Sequence, residues 1–360
     1  MTQNKEIFVV KIGSNTLIDN SGQIRQDIVV DILTTAAKAI SKSSRVLLVT
    51  SGAGKLGKSI LNNKQDITVN VSSAVGQIAL FSNYHSHAQK INLTLAELLI
   101  ARPHLLRRNQ FLKLQQNMED FFKQGIVPLV NENDALVADT DWDFGDNDSL
   151  AAALAIAFNA KKLIILSHVD GLYNKDPDQS HGQVELIKNV EDVNLELLKY
   201  CSKTTSSGGR GGMLSKLKAI RICTAVGIEA QIINGLKKGN LGNALNGKDI
   251  GTIFKSRCSK NNISNRQRWL LAAKNSSGSI EVDQGAVEAL RSGKSMLAVG
   301  VKKVYGQFQK GEIIEIVDSN QQGIAFGIVD YSDQEVEQML EKKDLTGKQL
   351  MHTDNIIVFS

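Results

Sequence analysis

GIVPLVNENDALVADTDWDFGDNDSLAAALAIAFNAKKLIILSH, residues 125–168, is the stretch whose reading decides the fold. It opens and closes on near-continuous apolar runs, GIVPLVN (125–131) and KLIILSH (162–168), with the helix-length segment LAAALAIAFNA (150–160) between them. A run apolar on both faces, then a helix, then a second such run reads as a βαβ crossover, the unit of parallel sheets covered by helices on both sides. The middle is acidic: seven Asp and Glu from Glu132 to Asp148, with no Lys or Arg. Open parallel sheets bind ligands where loops leave the carboxyl ends of strands, and this segment leaves one such end.

The same grammar extends in both directions. Strands are expected at EIFVVKI (6–12), RVLLVTS (45–51), LTLAELLI (93–100) and IEAQIIN (228–234). Helices are expected at DIVVDILTTAAKAISK (27–42), SSAVGQIALFSNYHSHAQK (72–90) and QFLKLQQNMEDFFKQ (110–124). Residues 1–256 therefore read as one α/β domain, an open, mostly parallel sheet sandwiched by helices. The periodicity lapses in FKSRCSKNNISNR (254–266), which sets a linker at 257–265. Residues 266–360 read as a small β-rich module, with strands in GSIEVD, SMLAVGVKKVYG, GEIIEIVD and GIAFGIVDYS and one short helix, QGAVEALRS.

Composition excludes several classes. Of 360 residues, 42% are apolar and 22% charged, as in ordinary globular domains. No run approaches the roughly 18 apolar residues of a membrane span, and the N-terminus lacks a signal-peptide layout. Three cysteines without CxxC spacing form neither a disulfide framework nor a zinc site, so a cytoplasmic location is expected. The net charge of +5 is uneven: residues 261–360 hold 11 Lys and Arg against 13 Asp and Glu, about −2, leaving about +7 on the rest. Nucleic-acid binding by the C-terminal module is disfavoured by that sign, since phosphate backbones select clustered basic faces.

Two motifs invite a wrong reading. GAGKLGKS (52–59) satisfies the phosphate-cradling pattern GxxxxGK[ST] after an apolar strand. A true P-loop feeds a substantial helix, whereas SILNNKQD continues as a poor one. A P-loop NTPase resting on Lys58 is therefore the remote alternative. DTDWDFGDNDSL begins like a calcium loop, but its glycine is one position late and Leu150 stands where a bidentate Glu is required. His85 and His87, two apart on a helix, face different sides and suit no shared metal.

Other features point to an anion. Lys11 sits near the end of an otherwise apolar strand, costly to bury unless paired or bound to a negative group, and the turn Gly13-Ser14-Asn15 follows. SGGRGGMLSKLK (207–218) is a glycine-rich loop opening into a helix, where free N–H groups and Lys216 suit a phosphate. NEND (131–134) ends one strand, and GDND (145–148) stands just before a helix, where Asp146 and Ser149 have cap chemistry.

In order, VVKIGSNTL, VTSGA, AVGQ, LVNENDA, FGDNDSLAA, DGLYNKDP and GRGGMLSKL resemble the glutamate 5-kinases of the amino acid kinase family, and the tail from NRQRWLLAAK onward resembles the PUA module, a small barrel. The resemblance covers nearly the whole chain, and NEND followed by GDND is its specific element. It implies the amino acid kinase fold and ATP-dependent phosphorylation of the glutamate side-chain carboxylate in proline biosynthesis, with ATP and Mg²⁺. Other family members (acetylglutamate kinase, aspartokinase, UMP kinase) are the near alternatives. By the family pattern Lys11 and Lys216 neutralise the transferring phosphoryl group and Asp148 orients them. Ser51, Gly52, Ala53, Asp134 and Asn147 bind glutamate. ATP lies against Lys11, Gly13, Ser167, His168, Arg210, Gly211, Gly212, Met213, Leu214, Ser215 and Lys216, and no protein side chain is assigned to the metal. The family further suggests inhibition by proline, a homo-oligomer (dimer or tetramer) and coupling to glutamyl phosphate reductase. The chain departs from the pattern at Ser167-His168, at Arg210 and Leu214, and in the acidic insert ADTDWDF (138–144).

Overall fold

The computed structural model describes residues 6–62, 66–137, 144–175, 184–194, 196–198, 212–256, 264–273 and 278–358. Its larger sheet has eight strands: β1 Ile7–Ile12, β2 Arg45–Val49, β3 Leu95–Ile100, β4 Val127–Glu132, β5 Lys162–Ser167, β6 Asn189–Val190, β7 Glu229–Asn234 and β8 Thr252–Phe254. They lie in the order β3-β4-β2-β1-β5-β7-β8-β6, and every pair from β3 to β7 is parallel. β8 runs antiparallel to β7. All six longer strands expected from the sequence are present within two residues. β6 and β8 escaped it because runs of two and three residues carry no legible alternation.

Register aligns the carboxyl ends. Lys11 is level with Val49 of β2 and Ile165 of β5, while Val49 is level with Val130 of β4. Every residue of β1 is buried, with Val9 facing one apolar cluster and Phe8, Val10 and Ile12 the other. A central strand covered on both faces leaves only its ends to carry polar function.

Seven helices organise the two layers and the junction: α1 Gln26–Ser41, α2 Ala53–Ile60, α3 Val69–Lys90, α4 Arg108–Lys123, α5 Asn147–Ala157, α6 Met213–Ala225 and α7 Asn265–Ala273. On α1 the buried residues Ile28, Val29, Ile32, Leu33 and Ala36 fall on one stripe at helical spacing. α5 is buried from Leu150 to Ala157, and its alanines let it pack closely against its neighbours.

The GAGKLGKS segment is not a phosphate loop. Gly52 is left-handed (φ +97°) and caps α2, which starts at Ala53. Gly57 lies inside that helix against Gly76 of α3. A Cβ on Gly57 would come within 1.7 Å of the Ser72 carbonyl oxygen, and one on Gly76 within 1.9 Å of that of Ala53. The second glycine of the motif thus serves a helix crossing, and Lys58 points into solvent. The weak helix expected there forms because tertiary packing outweighs propensity.

The C-terminal sheet comprises β9 Ser279–Val282, β10 Val301–Tyr305, β11 Ile313–Val317, β12 Gly323–Ile328 and β13 Ile356–Val358, in the order β10-β9-β11-β12-β13. It encloses its own core, including Ile280, Val282, Ile314, Ile316 and Phe308. The module holds more than the one helix expected. Asp333–Glu341 is a second, started by a capping box between Ser332 and Glu335. α7, expected as the start of this module, packs on α5, while Gln267 bonds the Ile356 carbonyl at 2.8 Å.

Candidate active site

Three elements meet at the carboxyl edge of the sheet. β1 delivers Lys11, the N-terminus of α5 delivers Asp148, and the first turn of α6 delivers Lys216. Lys11 Nζ is 2.7 Å from Asp148 Oδ1, and Lys216 Nζ is 3.1 Å from Asp148 Oδ2. All three side chains are buried. Two cations 205 positions apart in sequence thus share one carboxylate.

The charges respond to that enclosure. Burial holds the Lys11 ammonium below the usual lysine range, although the adjacent Asp148 pulls the other way. Burial alone would push the Asp148 carboxyl up, but Lys11 and Lys216 outweigh it and hold it below the usual carboxylate range. Asp148 is therefore the ionised pivot of the cluster at neutral pH.

A second layer fixes the pivot. Ser215 Oγ contacts Asp146 Oδ2 at 2.6 Å and Asp148 Oδ2 at 3.2 Å. Asp146 also caps α5, accepting from Ser149 N at 2.7 Å. Asp146 thus joins the N-termini of α5 and α6, a role beyond the cap chemistry read from its sequence position. Ser215, expected to contact nucleotide, faces these two carboxylates.

The expected glutamate residues occupy the next strand ends. Ser51 follows β2 and is buried, donating to the Ile12 carbonyl at 2.6 Å. Its proton is committed, so anion contact on this loop falls to the N–H groups of Gly52 and Ala53, at a helix start where no intrahelical acceptor is available. Asn147 donates to Asn131 Oδ1 at 3.1 Å, and Asn131 donates to Gln77 Oε1 at 2.7 Å. This amide chain ends in two buried atoms, Asn147 Oδ1 and Gln77 Nε2, without hydrogen-bond partners among the described residues. Asp134 opens the turn after β4 and borders a half-open groove of about 590 Å³ that Gln77 also lines. Glu132 accepts from Phe144 N, pinning the far end of the acidic segment, and Arg102 stacks over the Phe144 ring.

The expected nucleotide residues surround the other side of Lys11. Gly13 N donates to the Leu166 carbonyl at 3.0 Å, and a Cβ there would stand 3.0 Å from the same oxygen. Ser167 ends β5, buried, with His168 exposed after it. Gly212 is exposed and caps α6, whose first residues are Met213, Leu214 and Ser215. Arg210 and Gly211 lie outside the described residues, as do 138–143 of the acidic insert. Asn131, which NEND places at the ligand edge without a separate role, links Asn147 to Gln77. Gln77 was missing from the expected site, because it sits mid-helix and only the α3 packing brings it there.

Among the described residues no His, Cys, Asp and Glu group has the geometry to hold a metal, and no helix is long and apolar enough to cross a membrane. Two buried ammonium groups beside a helix N-terminus at a parallel-sheet edge define an anion-handling site of the kind that transfers phosphoryl groups. The chain belongs to the amino acid kinase family, whose model matches residues 6–234, and a PUA domain model matches residues 278–348. It is similar to the glutamate 5-kinase of Pelagibacter ubique (strain HTCC1062), 32% identical over 99% of each chain. It is also similar to the glutamate 5-kinase of Thermoanaerobacter sp. (strain X514), 33% identical over 98% of this chain and 97% of that one. Among solved structures, an isopentenyl phosphate kinase superposes with a TM-score of 0.51 at 17% identity, covering 69% of this chain and all of that one, which supports the fold alone.

Proposed function

We propose that this chain transfers the γ-phosphoryl group of ATP to the side-chain carboxylate of L-glutamate, forming L-glutamyl 5-phosphate at the start of proline biosynthesis. The observation that carries the reading is the Lys11–Asp148–Lys216 cluster. A glutamate carboxylate oxygen attacks the γ-phosphorus. The bond to the bridging oxygen breaks, and ADP leaves with that electron pair. The nucleophile is already an anion, so no general base is needed; what the site must supply is alignment and neutralisation.

Lys11 and Lys216 meet the phosphoryl oxygens as compact point charges, while Asp148 holds the two ammonium groups at fixed spacing. Gly13 lets phosphate approach the β1 turn without a side chain. Mg²⁺ bound to the nucleotide would supply further positive charge for the transfer. Asp146 and Asp148 are engaged by Ser215, Ser149 and the lysines, so neither is assigned to the ion. Asn147 and Asp134 receive the glutamate ammonium end, and the N–H groups of Gly52 and Ala53 its α-carboxylate.

A cytoplasmic homo-oligomer inhibited by proline, handing its labile acyl phosphate to a reductase, fits the same reading. The exposed apolar Ile78, which lines one groove with Leu95 and Leu99 of the edge strand β3, supports self-association. The deciding experiment is ADP release from ATP and Mg²⁺ with glutamate, acetylglutamate, aspartate or UMP as acceptor. Glutamate is expected to lead, and preference for any of the others would overturn the substrate assignment.

A further inference from the structure

Five residues after Lys216, the same helix carries Arg221, roughly 7.5 Å further along its axis. Arg221 is buried in the larger domain, yet its carboxylate partner, Glu315, comes from β11 of the C-terminal sheet and is buried too. The helix that carries Asp148 is backed from the same side. α7 packs on α5, and its Leu271 and Ala272 join Leu150 and Leu154 in one apolar cluster that also takes in Ile313, Phe326 and Ile357 of the C-terminal sheet. α7 is tied down in turn by Trp269 Nε1, which donates to the Leu105 carbonyl at 2.8 Å. Both helices that hold the catalytic charges therefore rest on the second module.

The pair is costly as a source of stability alone. Arg221 Nε and Nη1 are buried without a hydrogen-bond partner among the described residues, and apolar residues of similar volume commonly replace such pairs at no loss. What apolar packing does not supply is a directional contact of set length. From this geometry we infer that Arg221 and Glu315 are positioning residues for phosphoryl transfer. The C-terminal module, through this pair, sets how α6 sits on α5 and thereby where the Lys216 ammonium stands relative to Asp148. The inference rests on the role proposed for Lys216.

The test uses the full-length chain with Glu315→Gln, Arg221→Lys and the double replacement Arg221→Met/Glu315→Leu. In the double variant kcat is expected to fall about tenfold or more, because displacements of an ångström can cost up to ~100-fold. KM for glutamate should stay within about twofold and Tm close to wild type, since the glutamate-binding strand ends are untouched and the pair is replaced by apolar volume. Arg221→Lys keeps the charge and should recover part of kcat. Acylation of Lys216 under native conditions, read by mass spectrometry, should quicken in the double variant while that of Lys11 on β1 does not. That labelling needs no turnover, so it tests the positioning even if wild type fails with glutamate, a failure that would fall on the proposed function alone. A double variant with wild-type kcat and Lys216 labelling, or losses of kcat that merely follow the folded fraction, would overturn the inference. Should Glu315→Gln not fold, the double variant decides.

Discussion

Replacing Asp148 by Asn changes almost no volume but removes the negative charge that Lys11 contacts at 2.7 Å and Lys216 at 3.1 Å. At an effective dielectric constant of about 20, each contact is worth roughly 5–6 kcal/mol of gross Coulomb attraction at these distances. Desolvation offsets much of this, and removing one partner of a buried pair typically costs about 3–5 kcal/mol. The variant is therefore expected to lose about 3 kcal/mol or more at pH 7 in urea unfolding. It should also lose about 100-fold or more in kcat, because the ammonium groups are no longer held for the phosphoryl group.

The pH dependence separates this account from a generic packing defect. In wild type the Asp148 carboxyl lies below its ordinary range. Its contribution is complete above the unfolded carboxylate pKa and is lost as pH falls through the lower, folded one. The Asn variant lacks that acid-side loss. In the variant the buried lysines repel each other, and Lys11, already held low by burial, sheds its proton more readily. Its deficit relative to wild type should therefore shrink as pH rises from 7 toward 10. A variant within about 1 kcal/mol of wild type at pH 7, or a deficit constant across that range, would refute the assignment of Asp148 as the charged pivot.

Two further outcomes test the rest of the site. Lys58→Ala should retain near-wild-type ADP release with glutamate, whereas essentially complete loss would revive the P-loop reading of GAGKLGKS. Gly57→Ala drives a Cβ to 1.7 Å from the Ser72 carbonyl oxygen, so α2 and α3 must separate. Overpacking of this kind costs about 1–3 kcal/mol or more, and because α2 begins at the Gly52–Ala53 glutamate loop, KM for glutamate should rise while KM for ATP holds. Unchanged stability in thermal unfolding would show that the crossing is looser than described.

Much of the architecture was legible in the chain because its causes are local. Apolar runs such as IFVVKI and KLIILS, set between helix-length segments, dictate buried parallel strands whatever the remainder does. Lys11 stood out for the same reason, as a charge in a strand with no exposed residue. Asp148 and Asn147 were found through GDND, and Asp146 through its place before a helix. The helix Asp333–Glu341 and the strands β6 and β8 were not found, the first despite a readable capping box, the others because two or three residues hold no period.

The residue types needed for phosphoryl transfer, and the strand ends that present them, follow from the sequence by itself, since charge, capping and alternation act over a few neighbouring residues. Only the tertiary structure decided which of them meet. Packing of α5 against β1 and of α6 against α5 brings Lys11 and Lys216 to the two oxygens of one carboxylate. Packing of α3 carries Gln77 to Asn131, and it turns Gly57 from an apparent phosphate cradle into a helix contact. These pairings depend on distances between elements far apart in the chain. Those distances are set by the packing of side chains that no short window of sequence contains.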